Sequence, residues 1–323
     1  MEKKNEYSYS IGLTEIAVLN ADKSFPAPND WEDKNALTGE VRKHRGGLVG
    51  KSGTFNIDGW KTSDFKIGIT YGKRYAEADF VSTAADKTKA TVDEMVSDLN
   101  TVFASLATKG INLEAKKTAI GDDYDAEYLK ITTKNANDLP FFAKVGINGK
   151  LGQLLGITGW VATKEAKSFK DDFEKDNGQS IDQTSGFGLR CSIKEPDKIK
   201  GTILTMSFAG MPLSMYAMMT GNSFNKDTGE LYIDNAMNPP NLAVRYFVEQ
   251  YEEGNQTKGN FTRVKCVLFP SVQLTPNGNE ASENSYNNEE LQGSGGDNSR
   301  SNLPLKFIKE VSLADYKEFV FEA

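Results

Sequence analysis

The chain has one histidine, His44, and two cysteines, Cys191 and Cys266, in 323 residues. Any Ser-His-Asp or Cys-His nucleophile would have to be centred on His44. That residue sits in Arg42-Lys43-His44-Arg45, where neighbouring cations disfavour an imidazolium, and the stretch reads as a solvated basic loop. Two cysteines are too few for a disulfide scaffold. Two Cys and one His at these spacings do not make a zinc site. Both cysteines stand among strand-like residues and read as buried thiols. No apolar run approaches the roughly 20 residues of a membrane-spanning helix. Met1 to Tyr9 is charged and polar, without the apolar core of a secretory signal. The expectation is synthesis in a reducing cytoplasm and no membrane partner. Basic charge is also short: 38 Lys and Arg against 45 Asp and Glu leave a net charge of −7. A protein that grips nucleic acid needs a basic surface, whereas an acidic wall repels phosphate and lets it slide past.

Other signatures of chemistry fail on spacing. Gly46-Gly47-Leu48-Val49-Gly50-Lys51-Ser52 is reminiscent of a phosphate-binding loop, but that motif needs glycine where Arg45 stands. A glycine-rich turn between strands is the better reading. The acidic runs at Asp122–Asp125 and Asp171–Glu174 lack the alternating oxygens and central glycine of a calcium loop and read as solvated turns. No feature selects a carboxylate pair for glycoside hydrolysis. The sequence points to no catalytic residue, no metal and no cofactor, and the chain is expected not to be an enzyme.

What is present is β-rich. There are 18 Phe, 12 Tyr and 3 Trp, too many aromatics for a disordered chain. Strand patterns fall at 7–20, 54–71, 111–115, 127–133, 141–147, 187–193, 202–208, 242–251, 261–274, 305–311 and 316–321. The longest pair, Leu242–Tyr251 and Phe261–Leu274, flanks a glycine-containing hairpin turn, and Pro270 marks a bulge or an edge. One helix stands out. Thr91 and Glu94 form a capping box, and Val92, Met95, Val96, Leu99, Val102, Phe103 and Leu106 make an apolar stripe. Gly110 then stops it, so a helix is predicted over 92–109, with Asp93, Asp98, Asn100, Ser105 and Thr108 on its polar face. A short helix is expected over 212–220, and a charged loop or short helix over 164–181.

Two compositional features bear on association. Six of the eight methionines lie between Met206 and Met237, either as an adaptable core patch or as a subunit contact. The stretch from Thr275 to Asn302 is dense in Asn, Ser, Gly and Glu. A polar loop of that length inside a compact domain is usually functional or disordered.

Three stretches together resemble the major tail tube proteins of tailed bacteriophages. They are the hairpin 241–254 with 262–274, the polar segment leading into Ser301-Asn302-Leu303-Pro304-Leu305-Lys306-Phe307, and the helix with its following strands, 91–133. The resemblance implies a mainly β fold with one prominent α-helix. It would have a β-sandwich or barrel core from 1–83 and 181–323, an extended polar assembly loop at 275–302, and an inserted α+β domain at 84–180. It further implies a structural virion protein whose copies form rings, commonly hexamers, stacked into a tube that conducts DNA without specific binding. Tape measure, terminator and baseplate proteins would be its partners. Contacts between copies are expected at Arg245, Tyr246, Phe247, Tyr251, Arg263 and Phe269 on the hairpin. Others are expected at Glu289, Glu290 and Arg300 in the polar segment, and at Met215 and Met218 in the methionine patch. Open strand edges invite such pairing, and head-to-tail contacts close into rings. The alternatives are another phage structural protein (sheath, baseplate or capsid-associated) and a β-rich carbohydrate-binding adhesin.

Overall fold

The structure is a computed structural model describing residues 6–20, 23–26, 31–34, 38–44, 47–72, 74–120, 124–134, 145–157, 159–178, 180–185, 188–194, 196–225, 228–233, 238–252, 261–277, 289–298, 303–314 and 316. The protein is mainly β, with antiparallel sheets and few helices.

Its largest element is an eight-stranded sheet. The strands are β1 (Glu6–Val18), β2 (Trp160–Thr163), β3 (Ala166–Asp176), β4 (Lys198–Phe208), β5 (Leu242–Glu252), β6 (Arg263–Pro276), β7 (Glu289–Gly295) and β8 (Phe307–Val311). Their order is β2-β1-β5-β6-β7-β4-β3, with β8 also paired to β6. The strand β6 changes partner along its length: residues 264–268 pair with β8 and residues 272–276 with β7. Pro270, which has no N–H to offer, stands at the changeover. Opposite it, two steps on β5 face three on β6, so the proline sits in the expected bulge.

The sheet curls. Its end strands β2 and β3 are almost continuous in the chain, and Phe169 of β3 stacks on Tyr246 of β5 at 4.1 Å. The enclosed layer contains Ile16, Leu204, Met206, Phe208, Val244, Phe269 and Leu291. It is closed by the helix Leu213–Thr220, which carries Met215 and Met219. A second layer lies outside β1, β5 and β6 and holds Leu13, Trp160, Phe247, Cys266 and Tyr316. Period-2 alternation therefore feeds two cores from one strand: residues 242, 244 and 246 of β5 point into the first layer, inside this curled open sheet (called the barrel below), and 243 and 247 into the second.

Between β1 and β2 the chain builds a separate unit with its own core, running from Leu48 to Ile157. It has three-stranded sheets of Leu48–Ser52, Tyr124–Thr133 and Leu113–Ile120, and of Val145–Asn148, Lys66–Tyr71 and Arg74–Asp79. The helix α1 (Val92–Leu106) packs on them. Its capping box forms as expected, with Thr91 N donating to Glu94 at 2.8 Å and Glu94 N donating to Thr91 Oγ1 at 3.3 Å. The last predicted turn, 107–109, tightens to 3-10 form before Gly110, whose φ is 74°.

Several expectations are corrected. The inserted unit spans 48–157, not 84–180: strands 48–79 share its core, while 160–176 belong to the barrel sheet. Residues 164–181 are not a loop or helix, since Ala166–Asp176 is a strand held by β4. The segment 275–302 is not one extended loop, because Glu289–Gly295 lies in the sheet between β6 and β4. Its glycines are what allow this: a Cβ on Gly293 would overlap the Gln273 carbonyl. Within the glycine-rich stretch 46–52, Leu48–Ser52 is a strand rather than a turn. Asp98 is buried, accepting bonds from Thr83 N at 2.9 Å and Thr83 Oγ1 at 2.6 Å. Asn100 covers the edge of Leu113–Ile120 by bonding both N and O of Ala115, at 2.9 and 2.8 Å. Tyr316 closes a helical turn onto Ser312, and the rest of the expected strand 316–321 lies outside the described residues.

Candidate assembly surfaces

Most of the expected contact residues lie in the interior of a single chain. Arg245 and Glu15 are opposite each other on β5 and β1. They form a fully buried ion pair, Nε to Oε2 at 2.5 Å. The Arg245 guanidinium lies 4.0 Å over the Trp160 ring, and Trp160 Nε1 donates to the Pro26 carbonyl at 2.7 Å. The pair thereby fixes the joint where the inserted unit leaves and re-enters the barrel. Tyr246 is sandwiched between Phe169 and Phe269, and burial drives its phenol pKa far upward. Phe247 meets Tyr316 at 5.3 Å, and Tyr251 meets Phe261 at 6.2 Å. Met215 is buried in the barrel, and Met218 packs partly buried against it.

These positions are corrected from surface to core. The aromatic and arginine content that marks an interface also marks a core, and one strand feeding two layers needs large side chains on both faces. Glu289 and Glu290 are half-buried on β7 and work locally. Glu289 accepts from Met211 N at 3.2 Å and Glu290 from Asn277 Nδ2 at 2.6 Å. Arg263 is exposed, beside Glu310 and Ser312 in a polar dip. Arg300 lies outside the described residues.

The surface best built for a partner is one the sequence did not mark. Beyond the end of β7, β3 and β4 continue as a two-stranded ribbon, pairing Glu174 with Gly201, Lys175 with Ile199 and Asp176 with Lys198. Residues 174–176 and 198–200 are exposed, so this part stands clear of either core. The ribbon leads into a further hairpin, Ser180–Ser185 with Gly188–Lys194. A lone two-stranded ribbon is marginal in water. This one also exposes Ile199 (51%), and Phe173 (39%) and Ile203 (39%) are exposed at its base, where β4 still pairs with β7. Among the described residues, β3 pairs with β4 alone, so its other edge has no strand partner, and the part of it at residues 174–176 stands clear of the packed layers. The only sequence signal was Phe169 and Phe173 among charges, too sparse to show as alternation.

Cys266 is buried, and burial pushes its thiol up to about 12; the side chain of Cys191 lies outside the described residues. Among the described residues, no cluster of three or more His, Cys, Asp or Glu could hold a metal, and no helix is long and apolar enough to cross a membrane. Comparison with protein-family models finds no match, and comparison with curated proteins finds none either.

Proposed function

We propose that this chain is a non-enzymatic structural subunit of a phage tail tube, assembling with its own copies into rings that stack around a DNA conduit. The observation that carries the self-assembly reading is the projecting ribbon of β3 and β4, with its open edge, its exposed Ile199, and Phe173 and Ile203 exposed at its base. An uncovered edge with apolar flanks is a template for another chain. A ring-forming, head-to-tail contact would cover it without leaving a free end. The curled sheet suits the barrel-type core that the resemblance implies, and the net charge of −7 suits a wall past which DNA must slide. The same reading makes tape measure, terminator and baseplate proteins its further partners and the virion its location.

Negative-stain microscopy of the purified full chain tests the proposal. Rings or tubes are expected. A monodisperse monomer persisting at high concentration contradicts it.

A further inference from the structure

The edge strand β3 has one strand neighbour, β4, among the described residues, so side chains have to hold it over the inner layer. Two contacts do so. Phe169 stacks on Tyr246 at 4.1 Å, and Tyr246 stacks in turn on Phe269 at 6.4 Å. Two residues further along β3, on the same side of the strand, Asp171 accepts from Lys306 Nζ at 2.7 Å. Lys306 immediately precedes β8 and lies 5.6 Å over the Phe269 ring. The ion pair thus joins β3 to paired β6 and β8 across the inside of the curl. Both side chains are mostly buried, at 20% exposure each. From 172 to 176 every residue of β3 is exposed. Asp171 is therefore the last position at which β3 is tied down before the ribbon begins.

The surroundings of this pair are apolar. Leu204, opposite Asp171 on β4, is fully buried in the inner layer, and Phe169 and Phe173 share Asp171's side of β3. Burial first and the Asp171 charge next raise the Tyr246 phenol, so the carboxylate is felt within that layer. Two apolar side chains would fill such a site at equal or better stability, because an enclosed ion pair loses in desolvation about what it gains in attraction. What the pair adds is a required geometry: a carboxylate left unpaired here is costly, and only one approach of β3 to Lys306 avoids that cost. We propose that Asp171 and Lys306 form a positioning latch that fixes the direction in which the ribbon leaves the barrel, and so holds its edge ready for a second copy. That readiness rests on the self-assembly reading; the fixed direction does not.

The first experiment reads direction without assembly. Spin labels are placed at Lys175→Cys on the ribbon and Glu310→Cys on β8, both exposed, in a full chain carrying Cys191→Ser, and their separation is measured in spin-diluted samples. One narrow distribution is expected. With Asp171→Leu and Lys306→Leu it should at least double in width, while the melting temperature stays equal or rises. Asp171→Lys with Lys306→Asp should narrow it again. An unchanged width in the apolar pair, or a broad distribution with the native pair, overturns the latch. A melting temperature lowered by the apolar pair overturns the argument that the ion pair serves direction rather than stability. The second experiment compares the same chains, unlabelled, by negative-stain microscopy. The apolar pair should cut the yield of rings or tubes at least tenfold, and the exchanged pair should restore it. Undiminished assembly by the apolar pair overturns the latch's part in assembly and leaves the assembly reading intact. The expected widths with no rings from any chain uphold the latch and overturn the assembly reading instead.

Discussion

The barrel and the inserted unit differ in how far along the chain their partners lie. In the inserted unit, 48–157, two pairings join neighbours, Leu113–Ile120 with Tyr124–Thr133 and Lys66–Tyr71 with Arg74–Asp79, one capped helix packs on them, and Leu48–Ser52 and Val145–Asn148 find their partners further away, within the same unit. In the barrel, β1 pairs with β2 and β5 across more than a hundred residues, and the deepest polar contact joins Glu15 to Arg245. Local pairing is cheap in loop entropy, and distant pairing has to be held by packing and specific partners. The barrel's longest-range pairing thus carries a buried ion pair in addition to its apolar layers, whereas the polar fixtures of the inserted unit are the helix cap and the Asp98–Thr83 bonds.

The largest expected effect tests that dependence. Arg245→Leu leaves Glu15 charged and buried, which should cost about 3–5 kcal/mol. In denaturant titrations the barrel should unfold earlier while the inserted unit keeps its own transition. Glu15→Leu with Arg245→Leu should recover much of the loss. Next comes the core of the inserted unit: Leu99→Ala should cost about 2–5 kcal/mol and displace only that unit's transition. One shared transition shifting equally in both cases would merge the two regions into one cooperative body.

Smaller effects sharpen the contrast. Thr91→Ala should cost about 1 kcal/mol through the lost cap. Hydrogen bonds from Thr91 and Ala85 hold the Glu94 carboxyl below its ordinary value. Its contribution is present above the unfolded pKa and lost as pH falls through the lower folded one. Glu94→Gln should flatten the acid limb of the inserted unit's stability profile and leave the barrel's unchanged, as thermal melts across that range would show. Cys266, buried with its thiol pushed up to about 12, should resist thiol reagents at neutral pH until the barrel unfolds. Mass spectrometry that maps the modified residue reads this directly, and modification at Cys266 in the native chain would contradict the packing of the outer layer.

The same contrast decides what could be read from sequence. The helix at 92 was legible because Thr91, Glu94 and the apolar stripe are neighbours. The strands 242–252 and 263–276 were legible because β-branched and aromatic residues fill them, and Pro270 marked its bulge. The strand 166–176 was hidden because charged residues favour neither strand nor burial, and its hydrogen bonds come from a partner 30 residues on. The strand 289–295 was hidden because its Gly and Ser resemble loop composition, whereas here glycine is what the crowded sheet requires. The expected contact residues fell in the core for a related reason. Tyr246, Phe247 and Arg245 carry the chemistry of an interface, and nothing local tells whether the facing surface belongs to another chain or to this one's own second layer.

The ribbon remains the point on which the functional account turns. Phe173→Asp with Ile199→Asp places charges at exposed positions, so folding stability should change by no more than about 0.5 kcal/mol. The most direct measurement is negative-stain microscopy of this variant beside the unaltered chain, with circular dichroism and melting temperature matched. Rings or tubes are expected from the unaltered chain, and a folded, dispersed protein from the variant. A variant that assembles as well as the unaltered chain, or an unaltered chain that never assembles, would contradict it.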